Sequence, residues 1–211
     1  MSRDHILHRI RTALGRSPGQ AAADSPAARI RIPEVDMEAR IASFRTRLEE
    51  LAGHCHRAAT PEEARTFVAA AIAGKCALAS NAPYLAECGI AALSGVRSGI
   101  TDRAELRELC ATAEVGITSA DYALADTGTL VMISSPREAR MISLLPPAHI
   151  AVLPRDRILT GLDELLALHP LPSNETSSMV LITGPSRTAD IEQILVRGVH
   201  GPGEVTVVIV G

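Results

Sequence analysis

The run from Asp121 to Val131, "DYALADTGTLV", sets two carboxylates (Asp121 and Asp126), the Thr127 hydroxyl and Gly128 against apolar residues. So dense a set of carboxylates and hydroxyls suits the floor of a site, yet Asp and Gly are also ordinary turn residues. Just upstream, Thr118 or Ser119 is placed to cap a short helix, with Asp121 in its positively polarised first turn. This strand-helix-strand junction is the first candidate for ligand binding.

A second candidate is "LITGPSRTADIEQ", where a helix is expected to start after Gly184 and Pro185. Its free backbone N–H groups beside Ser186, Arg187 and Thr188 would seat an anion, and the Arg187 fork could hold a carboxylate or phosphate. His200 follows on the loop "VHGPGE", with a side chain suited to proton transfer near neutrality. It is expected at the opposite end from Arg187 unless the loop folds over. Asp126 and His200 are thus the candidates for catalysis, and a small anion the candidate ligand.

Other chemistries find less support. His54 and His56 would share one side of a strand, but no third ligand is near in sequence, so no metal is assigned. Cys55, Cys76, Cys88 and Cys110 lie far apart without a Cys-x-x-Cys pair, which removes the usual iron-sulfur and structural-zinc spacings and points to free thiols. There is no Gly-x-Gly-x-x-Gly, no phosphate loop and no Gly-x-Ser-x-Gly elbow, so no cofactor is expected and Ser186 is not expected to act as a nucleophile.

The elements that must position these residues are legible from periodicity. In "RDHILHRIRTALGR", Ile6, Ile10, Ala13 and Leu14 make an amphipathic helix ending near Gly15, and the Pro, Gly, Ser and Ala of residues 17–33 make a linker. Two further helices are expected, one from Met37 to Leu51 closed by Gly53, the other capped by Thr60 with Pro61 at its first position. "HCHRAAT", "KCALAS" and "EVGITS" read as strands and "DRAELRELCATA" as a helix. "GTLVMIS", "AHIAVLP", "SSMVLITG" and "GEVTVVIVG" read as strands, with "GLDELLALH" and "TADIEQILVRG" as helices between the last three. Short, nearly continuous apolar strands alternating with helices predict an α/β fold in three layers, a largely parallel sheet with helices on both faces. The expected organisation is an N-terminal helical arm over 1–33 and one α/β domain over 34–211. Ligands of such sheets bind beyond the carboxyl ends of the strands, which is where both candidate segments are expected.

Composition bounds the partners. The 211 residues suit one core, and 21 Lys and Arg against 24 Asp and Glu give a net charge of -3, without a basic field to hold nucleic acid. Two Phe, two Tyr and no Trp leave little on which unpaired bases could stack. No apolar run reaches the roughly 20 residues of a membrane span, and the first residues lack a signal peptide's apolar block, so the expected location is cytoplasmic.

Four segments, "SRDHILHRIRTALG", "GITSADYALADTGTLV", "SLLPPAHIAVLP" and "GPSRTADIEQILVRGVHGPGE", resemble the lactate-utilisation protein C family, the small cluster-free members of the LUD-domain group. The resemblance covers nearly the whole chain. It implies a fold similar to the ribose-5-phosphate isomerase, glucosamine-6-phosphate deaminase and CoA-transferase group. It also implies a role in oxidising L-lactate to pyruvate beside two iron-sulfur partner proteins, and it leaves oligomerisation open. One residue departs from the pattern: the family usually has Glu in "A-E-T/S-G-T" where this chain has Asp126. If that carboxylate were a covalent nucleophile, as in the related CoA transferases, the shorter side chain should impair it. Two classes stay open, a noncatalytic or ligand-binding subunit of a lactate-oxidising complex and a stand-alone enzyme acting on a phosphorylated sugar or a CoA thioester.

Overall fold

The computed structural model describes residues 2–17, 19–20, 32–188, 196–198 and 200–211. Side-chain caps begin the first helices. Helix α1 (Arg3–Ala13) is capped by Ser2, α2 (Met37–Glu50) by Asp36, and among the described residues none of α1 is buried whereas α2 buries Ile41, Phe44 and Leu48. Most of the predicted linker, residues 18 and 21–31, lies outside the described residues. Strand β1 (His54–Ala58) leads to α3 (Pro61–Ala71), which starts on the Thr60 cap with Pro at its first position, where the missing N–H is no loss. Then come β2 (Ala77–Ala79), α4 (Pro83–Glu87), β3 (Val96–Arg97), α5 (Arg103–Thr112) and β4 (Val115–Ser119).

No helix follows β4. The chain turns directly into β5 (Tyr122–Leu124) and back through β6 (Thr129–Ile133), an antiparallel pair. The expected cap does not form because Asp121 closes this ladder: its Oδ2 accepts from the Ile133 N–H at 2.6 Å, and its own N–H donates to the Val131 carbonyl at 3.0 Å. Helix α6 (Arg140–Leu144), β7 (Ala148–Pro154), β8 (Ile158–Leu159), α7 (Leu162–Leu168) and β9 (Met179–Ile182) follow. Arg187 and Thr188, predicted to open a helix, instead form β10 (Arg187–Thr188), paired antiparallel with β11 (Val196–Arg197). The rest of that predicted helix, 189–195, lies outside the described residues. Strand β12 (Glu204–Val210) completes the chain.

The fold is α/β, built on a six-stranded sheet of order β1-β12-β7-β4-β2-β3 in which every pairing is parallel. Its strands are apolar on both faces and divide by parity. Ile150, Val152, Val208 and Val210 pack toward α3 and α4, while Ala151, Leu153, Val205, Val207 and Ile209 pack toward α2. The sequence predicts one largely parallel sheet; "GTLVMIS" and "SSMVLITG" instead belong to a second sheet of order β8-β5-β6-β9, mainly antiparallel, which shares the α2 side of the core. Hydrophobicity marked these strands as buried but carried nothing about direction. The direction is set by the tight β5–β6 turn.

Candidate functional site

Strands β2, β4 and β7 run parallel as neighbours, so their carboxyl ends open side by side. The chain around their ends forms a cavity of about 430 Å³, and its wall includes Tyr84 and Glu87 of α4, Ser119 at the end of β4, Asp121 just beyond it, and Arg157 after β7. The loop leaving β6 closes it with Ser135, Arg137 and Glu138. That loop is held at two points on the β2 exit. The Asn81 N–H donates to the Arg137 carbonyl at 2.9 Å, and the Ser80 hydroxyl donates to Glu138 Oε2 at 2.7 Å. Asp121, by anchoring Ile133, fixes the point from which the loop departs.

Glu138 is the chemically distinctive group. It is 6% exposed, and its Oε1 has no hydrogen-bond partner among the described residues. Burial pushes its carboxyl up to about 8, the Asp121 charge adds to this, and the Ser80 hydroxyl and the Ser119 amide pull the other way. Asp121 is also raised, mainly by burial, against the opposing pull of the Ile133 N–H and of Arg157. Arg137 and Arg157 are exposed at the rim, and among the described residues neither is held in an ion pair. The Arg157 guanidinium lies 5.5 Å from the centre of the Tyr122 ring. Two guanidinium groups without an ion pair among the described residues stand at the mouth of the crevice, over the buried Glu138 carboxyl and the Asp121 carboxylate. Guanidinium groups in such a place are chemically suited to a small carboxylate or phosphate.

The residues anticipated from sequence are distributed over several places. Asp121 and Ser119 line this crevice. Thr118 does not; it is fully buried, and its hydroxyl shares a 2.8 Å hydrogen bond with Nε2 of the equally buried His149, whose pKa burial pushes down to about 4. Asp126 lines a smaller cavity with Thr160, Gly161 and Asp163. Thr127 and Gly128 sit in the β5–β6 turn against the last turns of α2. There Gly128 has φ +65°, and a Cβ would stand 2.5 Å from the Leu48 backbone nitrogen. Gly184 meets the same helix, with φ +78° and a Cβ position 2.9 Å from Leu51 Cβ.

The two anticipated segments do adjoin, though not as exits of one parallel sheet. Antiparallel pairing of β6 with β9 sets the start of one beside the end of the other, and the Thr129 and Thr183 hydroxyls meet at 2.9 Å. Asp126 and Arg187 nevertheless face different cavities, and Arg187 Nη2 donates to the Leu51 carbonyl at the end of α2. His200 is on the same groove as Ser186 and Arg187, not opposite them: its N–H donates to Ser186 Oγ at 3.4 Å, and Ser186 N–H donates to the Pro202 carbonyl at 2.8 Å. Of Thr188 only the backbone pairing with Val196 is described.

Sequence reasoning missed Arg137, Glu138 and Arg157. A usable signal existed for Arg157, since "RDR" directly follows the predicted strand "AHIAVLP" and therefore stands at a strand exit. No local signal marked "SPRE", because its place depends on β6 returning toward the end of β4. Among the described residues no three His, Cys, Asp or Glu are grouped to hold a metal ion, and His56 stacks on Phe67 with ring centres 3.9 Å apart. The four cysteines are free thiols, with Cys88 and Cys110 buried, Cys55 partly so and Cys76 exposed.

Comparison with known proteins adds lineage to this geometry. The family model for the LUD domain matches residues 41–210. A protein of Exiguobacterium sp. called lactate utilization protein C is 41% identical over 108 residues, 49% of this chain and 47% of that one. Its counterpart in Halalkalibacterium halodurans is 40% identical over 106 residues, 48% and 46% of the two chains, and that of Macrococcus caseolyticus 39% over 111 residues, 51% and 48%. The aligned segments thus span about half the length of these curated relatives. A crystal structure of a DUF162 family protein from Deinococcus radiodurans aligns with a TM-score of 0.65 over 84% of this chain and 100% of that one, at 19% identity, a likeness of fold alone.

Proposed function

The chain belongs to the LUD domain family, and on that premise we propose that it is a ligand-binding component of a lactate-utilisation system, without an iron-sulfur cluster of its own. In this reading iron-sulfur partner proteins carry the electrons as L-lactate becomes pyruvate, and this subunit binds a small anion. The observation that carries the reading is the crevice at the carboxyl ends of β2, β4 and β7, where Arg137 and Arg157 stand beside serine hydroxyls without an ion pair among the described residues. The names of the relatives supply the lactate context, and the scattered cysteine spacing favours clusters in the partners. In a host that carries this gene, deleting it should abolish growth on L-lactate. The wild-type chain should restore growth, and the Arg137→Ala, Arg157→Ala double variant should not. Unimpaired growth of the deletion strain on L-lactate would overturn the reading.

One observation favours a second reading, a stand-alone enzyme acting on a phosphorylated sugar or a CoA thioester. A buried acid in a cleft, its pKa raised by burial to about 8, is suited to general acid–base work, and Glu138 is such an acid. Turnover of either substrate class by the isolated chain, abolished in Glu138→Gln, would establish this alternative.

A further inference from the structure

We propose that β9 is a dimer interface: the free edge of the antiparallel sheet pairs with the same strand of a second copy of this chain, across a two-fold axis at Leu181. Of the four edges of the two sheets, three are blunted. Strand β1 carries His54, His56 and Arg57, and β3 is two residues long and includes Arg97. Strand β8 is equally short, and its Ile158 carbonyl accepts from Arg40 Nη1 at 3.2 Å. Strand β9 has none of these devices. Its residues Met179, Val180, Leu181 and Ile182 include no charge and no proline, no strand among the described residues pairs with its outer side, and Leu181 is 46% exposed. Native sheets seldom leave so apolar an edge bare, because its unpaired backbone groups are a template for another strand.

The register follows from the inner side of the strand. The Ser134 N–H donates to the Ser178 carbonyl at 2.9 Å, so these two residues are a hydrogen-bonded pair, and alternation makes Met132 with Val180 the next one. The backbone groups of Met179 and Leu181 therefore point away from β6, and none of them has a hydrogen-bond partner among the described residues. An antiparallel copy set with Leu181 opposite the partner's Leu181 satisfies them: the two leucines exchange a pair of N–H···O bonds, and Met179 faces the partner's Thr183. A second copy is the occupant that fits, because the uncharged strand offers a different protein no sign to match and repeats its own pattern under the two-fold. The two Leu181 side chains then cover each other on the face where Met179 packs against the cluster of Leu124, Val131 and Leu165. A groove of about 460 Å³ runs along the same edge, since Val180, Leu181, Ile182 and Thr183 all line it. The partner's strand would give that groove, which also holds Arg187 and His200, a second wall.

The test is sedimentation equilibrium of the full chain at micromolar concentration, beside Leu181→Lys, Leu181→Cys and Met179→Cys variants. The wild type should show twice the chain mass, and Leu181→Lys, which sets like charges directly opposite each other, should show the monomer mass. Under mild oxidation Leu181→Cys should give a disulfide-linked dimer, because Cα atoms of a hydrogen-bonded antiparallel pair stand about 5.5 Å apart, within reach of a disulfide. Met179→Cys should not, because Met179 faces the partner's Thr183 and so stands roughly 13 Å along the strand from the partner's Met179. The wild type under the same oxidant sets the background from Cys76, the exposed native thiol. A monomeric wild type would overturn the proposal, whether the edge is then open or covered within its own chain. So would a dimer that survives Leu181→Lys, or one in which Met179→Cys crosslinks as readily as Leu181→Cys. Circular dichroism and the thermal midpoint of Leu181→Lys separate a lost interface from lost folding, and the crosslinks read the interface independently of that variant.

Discussion

The crevice beyond β2, β4 and β7 and the junction where the β5–β6 turn meets α2 are both dense in hydroxyls and carboxylates, and they use them in opposite ways. At the junction the polar groups satisfy one another. Thr127 donates to Asp126 at 3.2 Å, Thr129 reaches Thr127 at 2.8 Å and Thr183 at 2.9 Å, and Ser43 of α2 donates to the Ala125 carbonyl at 2.7 Å. In the crevice two guanidinium groups lack an ion pair and one buried carboxyl oxygen lacks a hydrogen bond among the described residues. Polar density alone therefore does not mark a binding site. Unspent hydrogen-bonding capacity is the better pointer, because a closed network gains nothing from a ligand.

If this contrast is right, the junction should answer to mutation in stability and the crevice in binding. Gly128→Val should have the largest effect, combining roughly 1–2 kcal/mol for a left-handed non-glycine residue with about 1–3 kcal/mol of overpacking against α2. Urea denaturation measures it, and an unchanged midpoint would mean that the turn does not bear on α2 as described.

The pH dependence of stability tests the crevice next. Glu138 has a raised folded pKa, so between about 4.5 and about 8 the folded state binds the extra proton and stability falls as pH rises. His149 has a lowered folded pKa, so between about 4 and 6.5 the unfolded state binds the extra proton and stability rises with pH. The two slopes oppose each other from about 4.5 to 6.5, and of these two groups only Glu138 acts from there to about 8, at up to about 1.36 kcal/mol per pH unit. Glu138→Gln should remove its share of the fall above pH 6.5, which denaturant midpoints at successive pH values would show. An identical profile in the variant would mean that Glu138 ionises as freely folded as unfolded.

A smaller effect is expected from Thr129→Val, which keeps shape but strips the hydroxyl that joins Thr127 to Thr183. A loss of about 1 kcal/mol, within the range for a buried hydrogen bond, should appear in the urea midpoint while ligand affinity is unchanged. The smallest effect should come from deleting residues 1–16, because none of the described residues of α1 is buried. The thermal midpoint should move by no more than a few degrees, and wholesale unfolding would show that α1 supports the domain.

Local pattern alone specified a good deal of this protein. The caps Asp36 and Thr60 with Pro61, the apolar spacing of Ile41, Phe44 and Leu48, and the β-branched runs of β7 and β12 each act within a few residues of chain, so helices, strands and the α/β class were legible. Of the site, Asp121 was legible because it follows an apolar strand directly. Tertiary structure alone decided the rest. Strand direction depends on which edges pair, so the split into a parallel and an antiparallel sheet could not be read from hydrophobicity. Whether a carboxylate is spent or free depends on partners far away in sequence. Ser80, 58 residues from Glu138, fixes one of its oxygens, and nothing local could say that the other would be left buried and unpaired while Asp126, in the more suggestive motif, would not.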